Sequence, residues 1–161
     1  MTLTQKETTL LQDLKAQEKL CVDKYNKYSA SACDGELKTL FSRIGKTEQK
    51  HLDTVTQIMG GSIPSTSMNS SGQSWATGTT LGKNASNSKE DATSSFENDK
   101  FLCEDTLASE KFVSSSYNTM IFEFKDSAVR DALNHNQKEE QQHGEQIYNY
   151  MESHGMYNAQ Q

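Results

Sequence analysis

The chain has one proline and no long runs of Val or Ile, so a sheet is a poor reading of it. Gln, Glu, Lys and Leu fill its two flanks instead, which favours helix. Cysteine is scarce too: Cys21, Cys33 and Cys103 are odd in number and show no Cys-x-x-Cys spacing. That pattern argues against a disulfide framework or a thiolate zinc site. Positive charge is the minority sign, with 16 Lys and Arg against 22 Asp and Glu and a net charge of −6, so no basic face exists to neutralise phosphates. A nucleic-acid partner is therefore not expected. No apolar run is long enough to cross a bilayer, and the opening Met1-Thr-Leu-Thr-Gln-Lys-Glu lacks the basic and then apolar segments of a secretory signal. The expectation is synthesis in a cytoplasm, with no membrane partner.

What is present is organised as two similar flanks around a polar middle. At 161 residues the chain suits one domain, 1–161, although a hydrophobic content of 33% is low for a packed core. Much of the deficit lies between residues 60 and 93, rich in Ser, Thr, Gly and Asn, where only Ile63, Met68, Trp75 and Leu81 could anchor the chain. Ile63 and Trp75 are expected to pin this linker to the rest. Shifting the first flank by 92 positions lays Asp13–Met59 over Asp105–Met151 without a gap. Glu18 then meets Glu110, Tyr25 meets Tyr117, Glu48 meets Glu140 and His51 meets His143. Such a repeat predicts two helical hairpins, 4–59 and 94–154, joined by a crossover over 60–93. Thr4 with Glu7 and Ser94 with Glu97 fit capping boxes that open the first and third helices, and Asp34 and Asp126 suit N-caps of the second and fourth.

Each predicted helix carries a stripe at alternating spacings of three and four, the face a bundle helix turns inward. The stripes are mostly apolar, but polar exceptions fall at matching places: Glu18 and Glu110 on the first helix of each half, Glu48 with His51 and Glu140 with His143 on the second. Glu18 and Glu48 lie equally far from the turn at Cys33, so an antiparallel pair sets them at one height; Glu110 and Glu140 stand likewise about Lys125. Each Glu-x-x-His shares one helix face. Four buried carboxylates need positive charge, and the stripes offer no Lys or Arg. A Glu from each of two helices and a Glu-x-x-His from each of the other two is the di-iron or di-manganese arrangement of ferritin-like four-helix bundles. The expected fold is thus all-α and ferritin-like, and the expected cofactor is a pair of divalent ions, Fe or Mn.

Around this centre, Tyr25 and Tyr117 lie on the same stripes two turns from the glutamates, where they can donate to a carboxylate or simply pack. Cys21 sits one turn from Glu18, but its counterpart is Val113, so sulfur is not required. His135 and His154 fall off the stripe and are expected in solvent. Glu139, one residue from Glu140 and so rotated by about 100°, is expected to point away.

The second half, from Glu104-Asp-Thr-Leu-Ala-Ser-Glu-Lys-Phe-Val-Ser-Ser-Ser-Tyr-Asn-Thr through Phe122-Glu-Phe, Val129-Arg-Asp-Ala-Leu and Glu139-Glu-Gln-Gln-His143 to Tyr150-Met-Glu-Ser-His-Gly-Met-Tyr157, resembles the Coat F family of spore coat proteins. The likeness spans about residues 97–157; the chain has Gly155-Met156-Tyr157 where that family commonly has Gly-Trp-Tyr. The resemblance implies a ferritin-like fold and a place in the spore coat after synthesis in the mother-cell cytoplasm. Other coat proteins or further copies of the chain would be its partners. The family's Ser-Glu-Lys motif falls on Ser109, Glu110 and Lys111, and its Glu-x-x-His on Glu140 and His143. The expected role is a structural, metal-binding coat protein. The alternative is a redox enzyme of the catalase, peroxidase or ferroxidase type built on the same centre.

Overall fold

The computed structural model describes residues 2–64 and 89–157, and among them the only regular elements are four helices. They are α1 (Gln5–Ser31), α2 (Gly35–Met59), α3 (Lys89–Ile121) and α4 (Ser127–Ser153). Local chemistry sets their ends. Thr4 caps α1 by accepting from the Glu7 amide while the Glu7 carboxylate accepts from the Thr4 amide at 2.7 Å, a reciprocal box that satisfies two free donors. Asp34 accepts from the amides of Glu36 and Leu37 to start α2, and Asp126 accepts from Ala128 to start α4. Two glycines end helices: Gly61 (φ 81°) lets Ser62 donate back to Gln57 after α2, and Gly155 (φ 69°) lets Met156 donate back to Met151 after α4. Met156 is buried against the core as this turn closes.

The third helix departs from expectation. It begins at Lys89, so Ser94 and Glu97 lie inside it instead of opening it. Asp91 falls in its first turn, where negative charge complements the helix dipole, and two consecutive serines cost too little to stop a helix of this length. Ile63 is exposed, not packed on the helices as expected. Met68, Trp75, Leu81 and most of the expected crossover lie outside the described residues.

Directions follow from side-chain bonds between helices. Along α1 and α3, Lys6 bonds Glu123, Tyr25 bonds Glu110, and the Cys33 and Asp34 amides donate to Asp99, so these helices run in opposite directions. Between α2 and α4, Arg43 meets Gln146 and His51 meets Glu139, again with opposite sense. α1 packs along α2 and α3 along α4.

The predicted stripes are the buried faces, except that Tyr28, the α1 stripe position that follows Tyr25, is half-buried. The apolar core is divided in two: one cluster gathers Leu11, Leu14, Val55, Ile58, Tyr117, Val129 and Leu133, the other Tyr25, Leu37, Phe41, Ile44, Cys103, Ile147 and Met151. Along α2, α3 and α4 the polar stripe residues lie between the two clusters; on α1, Glu18 falls between Leu14 and Cys21 at the edge of the first.

Candidate metal centre

All six of the glutamates and histidines at matched stripe positions are buried, and they converge. Ligand atoms of Glu18, Glu48, His51 and Glu140 lie within 4.8 Å of one another, as do those of Glu48, Glu110, Glu140 and His143. The two sets share Glu48 and Glu140, while Glu18 with His51 and Glu110 with His143 belong to one set each. Each set takes one glutamate from the first helix of a half, two residues from that half's Glu-x-x-His turn, and the glutamate of the other Glu-x-x-His. The i, i+3 spacing puts each Glu and His on one face, and the opposed α2 and α4 bring the two turns together. Both imidazoles present Nδ1 to the cluster. That of His51 stands 2.9 Å from Glu140 and 3.6 Å from Glu48; that of His143 stands 2.7 Å from Glu48 and 3.6 Å from Glu110 and Glu140. The rings stack with centroids 5.7 Å apart.

Partners surround the cluster without satisfying it. Tyr117 on α3 donates to Glu18 on α1, and Tyr25 on α1 donates to Glu110 on α3, so each buried tyrosine both packs and holds a carboxylate across the bundle. Yet Glu18 Oε2, Glu110 Oε2, Glu140 Oε2, both carboxylate oxygens of Glu48 and Nδ1 of His143 are buried and make no hydrogen bond. Although His143 Nδ1 and Glu48 Oε1 are close, they are not aligned to bond. Orphaned acceptors in such number are costly in a protein interior.

Electrostatics reflects the crowding. Burial, reinforced by Glu140 and Glu48, pushes Glu18 up to about 8. Burial likewise raises Glu110 well above the usual carboxylate range. For Glu140, burial acts upward but is outweighed by the imidazoles of His143 and His51 beside it, which hold the carboxyl low. Burial acts to lower both histidines. The surrounding carboxylates overcome it, taking His51 well above its ordinary value and His143 up to about 11. The thiol of Cys21 is raised by burial and then by the neighbouring glutamates; it joins neither set.

Glu139 overturns an expectation. It does not point away: Oε2 lies 2.9 Å from Nε2 of His51, and the side chain is 30% exposed. Rotation by one residue carries it off the α4 stripe but onto the flank facing α2, where the long Glu side chain reaches the imidazole. His135, exposed as expected, stands one turn back at 3.5 Å from the same oxygen. Other contacts missed from sequence are the two that clamp the turns. Glu7 accepts from the Lys125 amide at 3.0 Å, and Asp99 from the Cys33 amide at 2.7 Å; the two pairs are related by the 92-residue shift, with Glu7 and Asp99 each six residues before the repeat at Asp13 and Asp105.

Residues 98–160 match the family model of the Coat F domain. The match bears out the resemblance read from the second half. It takes in most of α3 and all of α4, and with them Glu110, Glu140 and His143. No curated protein and no solved structure matches the chain.

Proposed function

We propose that the protein is a spore coat component whose two similar helical hairpins, joined by a crossover as in ferritin-like bundles, are locked together by two divalent ions. Glu18 and His51 would hold one ion, Glu110 and His143 the other, with Glu48 and Glu140 shared between them. Tyr25 and Tyr117 orient the outer carboxylates. The observation that carries this reading is the set of buried carboxylate oxygens and the imidazole nitrogen that bond to nothing. Cations remove that deficit at a stroke, and oxygen with imidazole donors suits Fe or Mn. When bound, the ions supply charge neutralisation and cross-links between four helices. The coat assignment is supported by the Coat F match. The crossover is supported by α2 and α3 running the same way, because the chain must then return along the bundle between them. The hairpin repeat is supported by bonds that recur under the 92-residue shift: Tyr25 to Glu110 and Tyr117 to Glu18, Asp99 to Cys33 and Glu7 to Lys125.

Elemental analysis of protein expressed with ample Fe and Mn tests the reading. Near two equivalents of Fe, Mn or a substituting Zn are expected, together with a higher melting temperature than in the metal-free form. A metal-free product with an unchanged melting temperature after loading refutes it. Peroxide consumption by the loaded protein separates a redox enzyme from a structural centre, for which none is expected.

A further inference from the structure

The six candidate ligands obey the repeat, but the residues behind them do not. Support for the Glu18 and His51 pair comes from α4. His51 directs Nδ1 at Glu140 in the cluster and Nε2 at Glu139, each 2.9 Å away; an ion that took the Nδ1 lone pair would leave Nε2–H to donate to Glu139. Glu139 is itself flanked by His135. The other outer ligand, Glu18, accepts from Tyr117, whose hydroxyl in turn accepts from Asn136 Nδ2 at 3.0 Å.

Under the 92-residue shift, His135, Asn136 and Glu139 become Arg43, Ile44 and Thr47 on α2. Ile44 has nothing to donate, so Tyr25 holds Glu110 without an amide behind it. Among the described residues His143 makes no hydrogen bond through Nε2, and Thr47 makes none to it. Two separate hydrogen-bond chains, one behind a carboxylate and one behind an imidazole, thus favour the same side.

We infer that the two metal positions are unequal, with the one at Glu18 and His51 filling first because Glu139 and Asn136 act as positioning residues for its outer ligands. This deepens the proposed function and rests on the reading of the cluster as a metal site. Partners of this kind behind metal-binding histidines are worth about 10–100-fold in affinity.

The test is titration of the metal-free full chain with Mn(II), reading free Mn(II) by electron paramagnetic resonance. Wild type should bind two equivalents in two steps at least about tenfold apart. Glu139→Gln should weaken the tight step by about tenfold or more and leave the weak step and the stoichiometry alone. Glu139→Asp, which keeps the charge, should fall between. In the Zn(II)-loaded protein, imidazole nitrogen resonances should show one exchange-protected Nε2 proton, on His51, shifted in Glu139→Gln, whose amide oxygen is a weaker acceptor, and lost in Glu139→Ala. A mere packing role for Glu139 would not move that signal. Two identical steps in wild type, unchanged constants in Glu139→Gln, or a protected proton on neither ring would overturn the inequality while leaving the metal reading in place. Failure of wild type to bind Mn(II) at all would overturn both.

Discussion

The two apolar clusters and the polar layer between them are built from the same four helices at the same stripe positions, yet they obey opposite rules. In the clusters, Leu11, Phe41, Leu133 and Ile147 are complete once packed, because they need only exclusion of water. In the layer between, Glu48 is as buried as Leu14, but neither of its carboxylate oxygens accepts a hydrogen bond. Burial alone finishes an apolar side chain and leaves a carboxylate unfinished. The clusters therefore account for the fold without help, while the layer between acquires a reason only when something positive enters it.

Substitutions in the two regions should respond differently to metal. Phe41→Ala opens a cavity in an apolar cluster and should have the largest cost, about 3–5 kcal/mol. Chemical denaturation should return nearly the same value with and without Mn(II), since no candidate ligand is lost. Glu140→Ala should come next and be conditional. It removes a residue common to both sets, so the stabilisation that ligand binding adds, about 2.7 kcal/mol at a hundredfold excess over Kd, should vanish. Metal content should drop below one equivalent, with Glu48→Ala behaving alike. A Glu140→Ala cost that is independent of metal would erase the distinction between the regions.

Sequence carried this contrast a long way. The stripes placed Glu18, Glu48, His51, Glu110, Glu140 and His143 on buried faces because helical periodicity fixes direction from a residue's neighbours alone. Thr4, Asp34 and Asp126 were legible as caps for the same reason: a cap needs only the next three residues. Glu139 was not legible. Helical geometry fixes its direction around α4 relative to Glu140, but a position off the stripe faces solvent only if no neighbouring helix stands there, and α2 does. The start of α3 was misplaced because Ser94 and Glu97 are as compatible with a helix interior as with its first turn. The links from Asp99 to Cys33 and Glu7 to Lys125 depend on packing between α1 and α3 that local spacing does not encode.

A smaller effect sharpens the comparison through pH. In the metal-free protein, Glu18 keeps its proton up to about 8 and His143 up to about 11, whereas in the unfolded chain these groups release theirs near their ordinary values. The folded state then binds more protons than the unfolded state through the neutral and alkaline range, so stability must fall as pH rises from about 6 to 9. Metal loading should reverse the trend, because the ions displace these protons and bind better as protons become scarce. Melting temperatures of metal-free and loaded protein should diverge by a growing margin across that range. Parallel curves would mean that the protons and the metal do not share the layer.

The smallest expected effect comes from a control on the same helix. Glu139→Ala cannot serve as a neutral surface change, since it strips His51 of a partner. Glu145 can: it lies on α4, five residues beyond Glu140, and is exposed. Glu145→Ala removes the same unit of negative charge from the same element as Glu140→Ala, so the two differ in whether the carboxylate lies in the layer and hardly at all in net charge. If the layer holds metal through direct coordination, Glu145→Ala should keep the full metal complement and change stability by no more than about 0.5 kcal/mol. If instead the acidic character of the whole chain draws cations in, the two substitutions should lower metal content alike. Metal analysis beside thermal denaturation of both variants decides between coordination and charge. Equal losses would leave the orphaned oxygens of the layer without the occupant proposed for them.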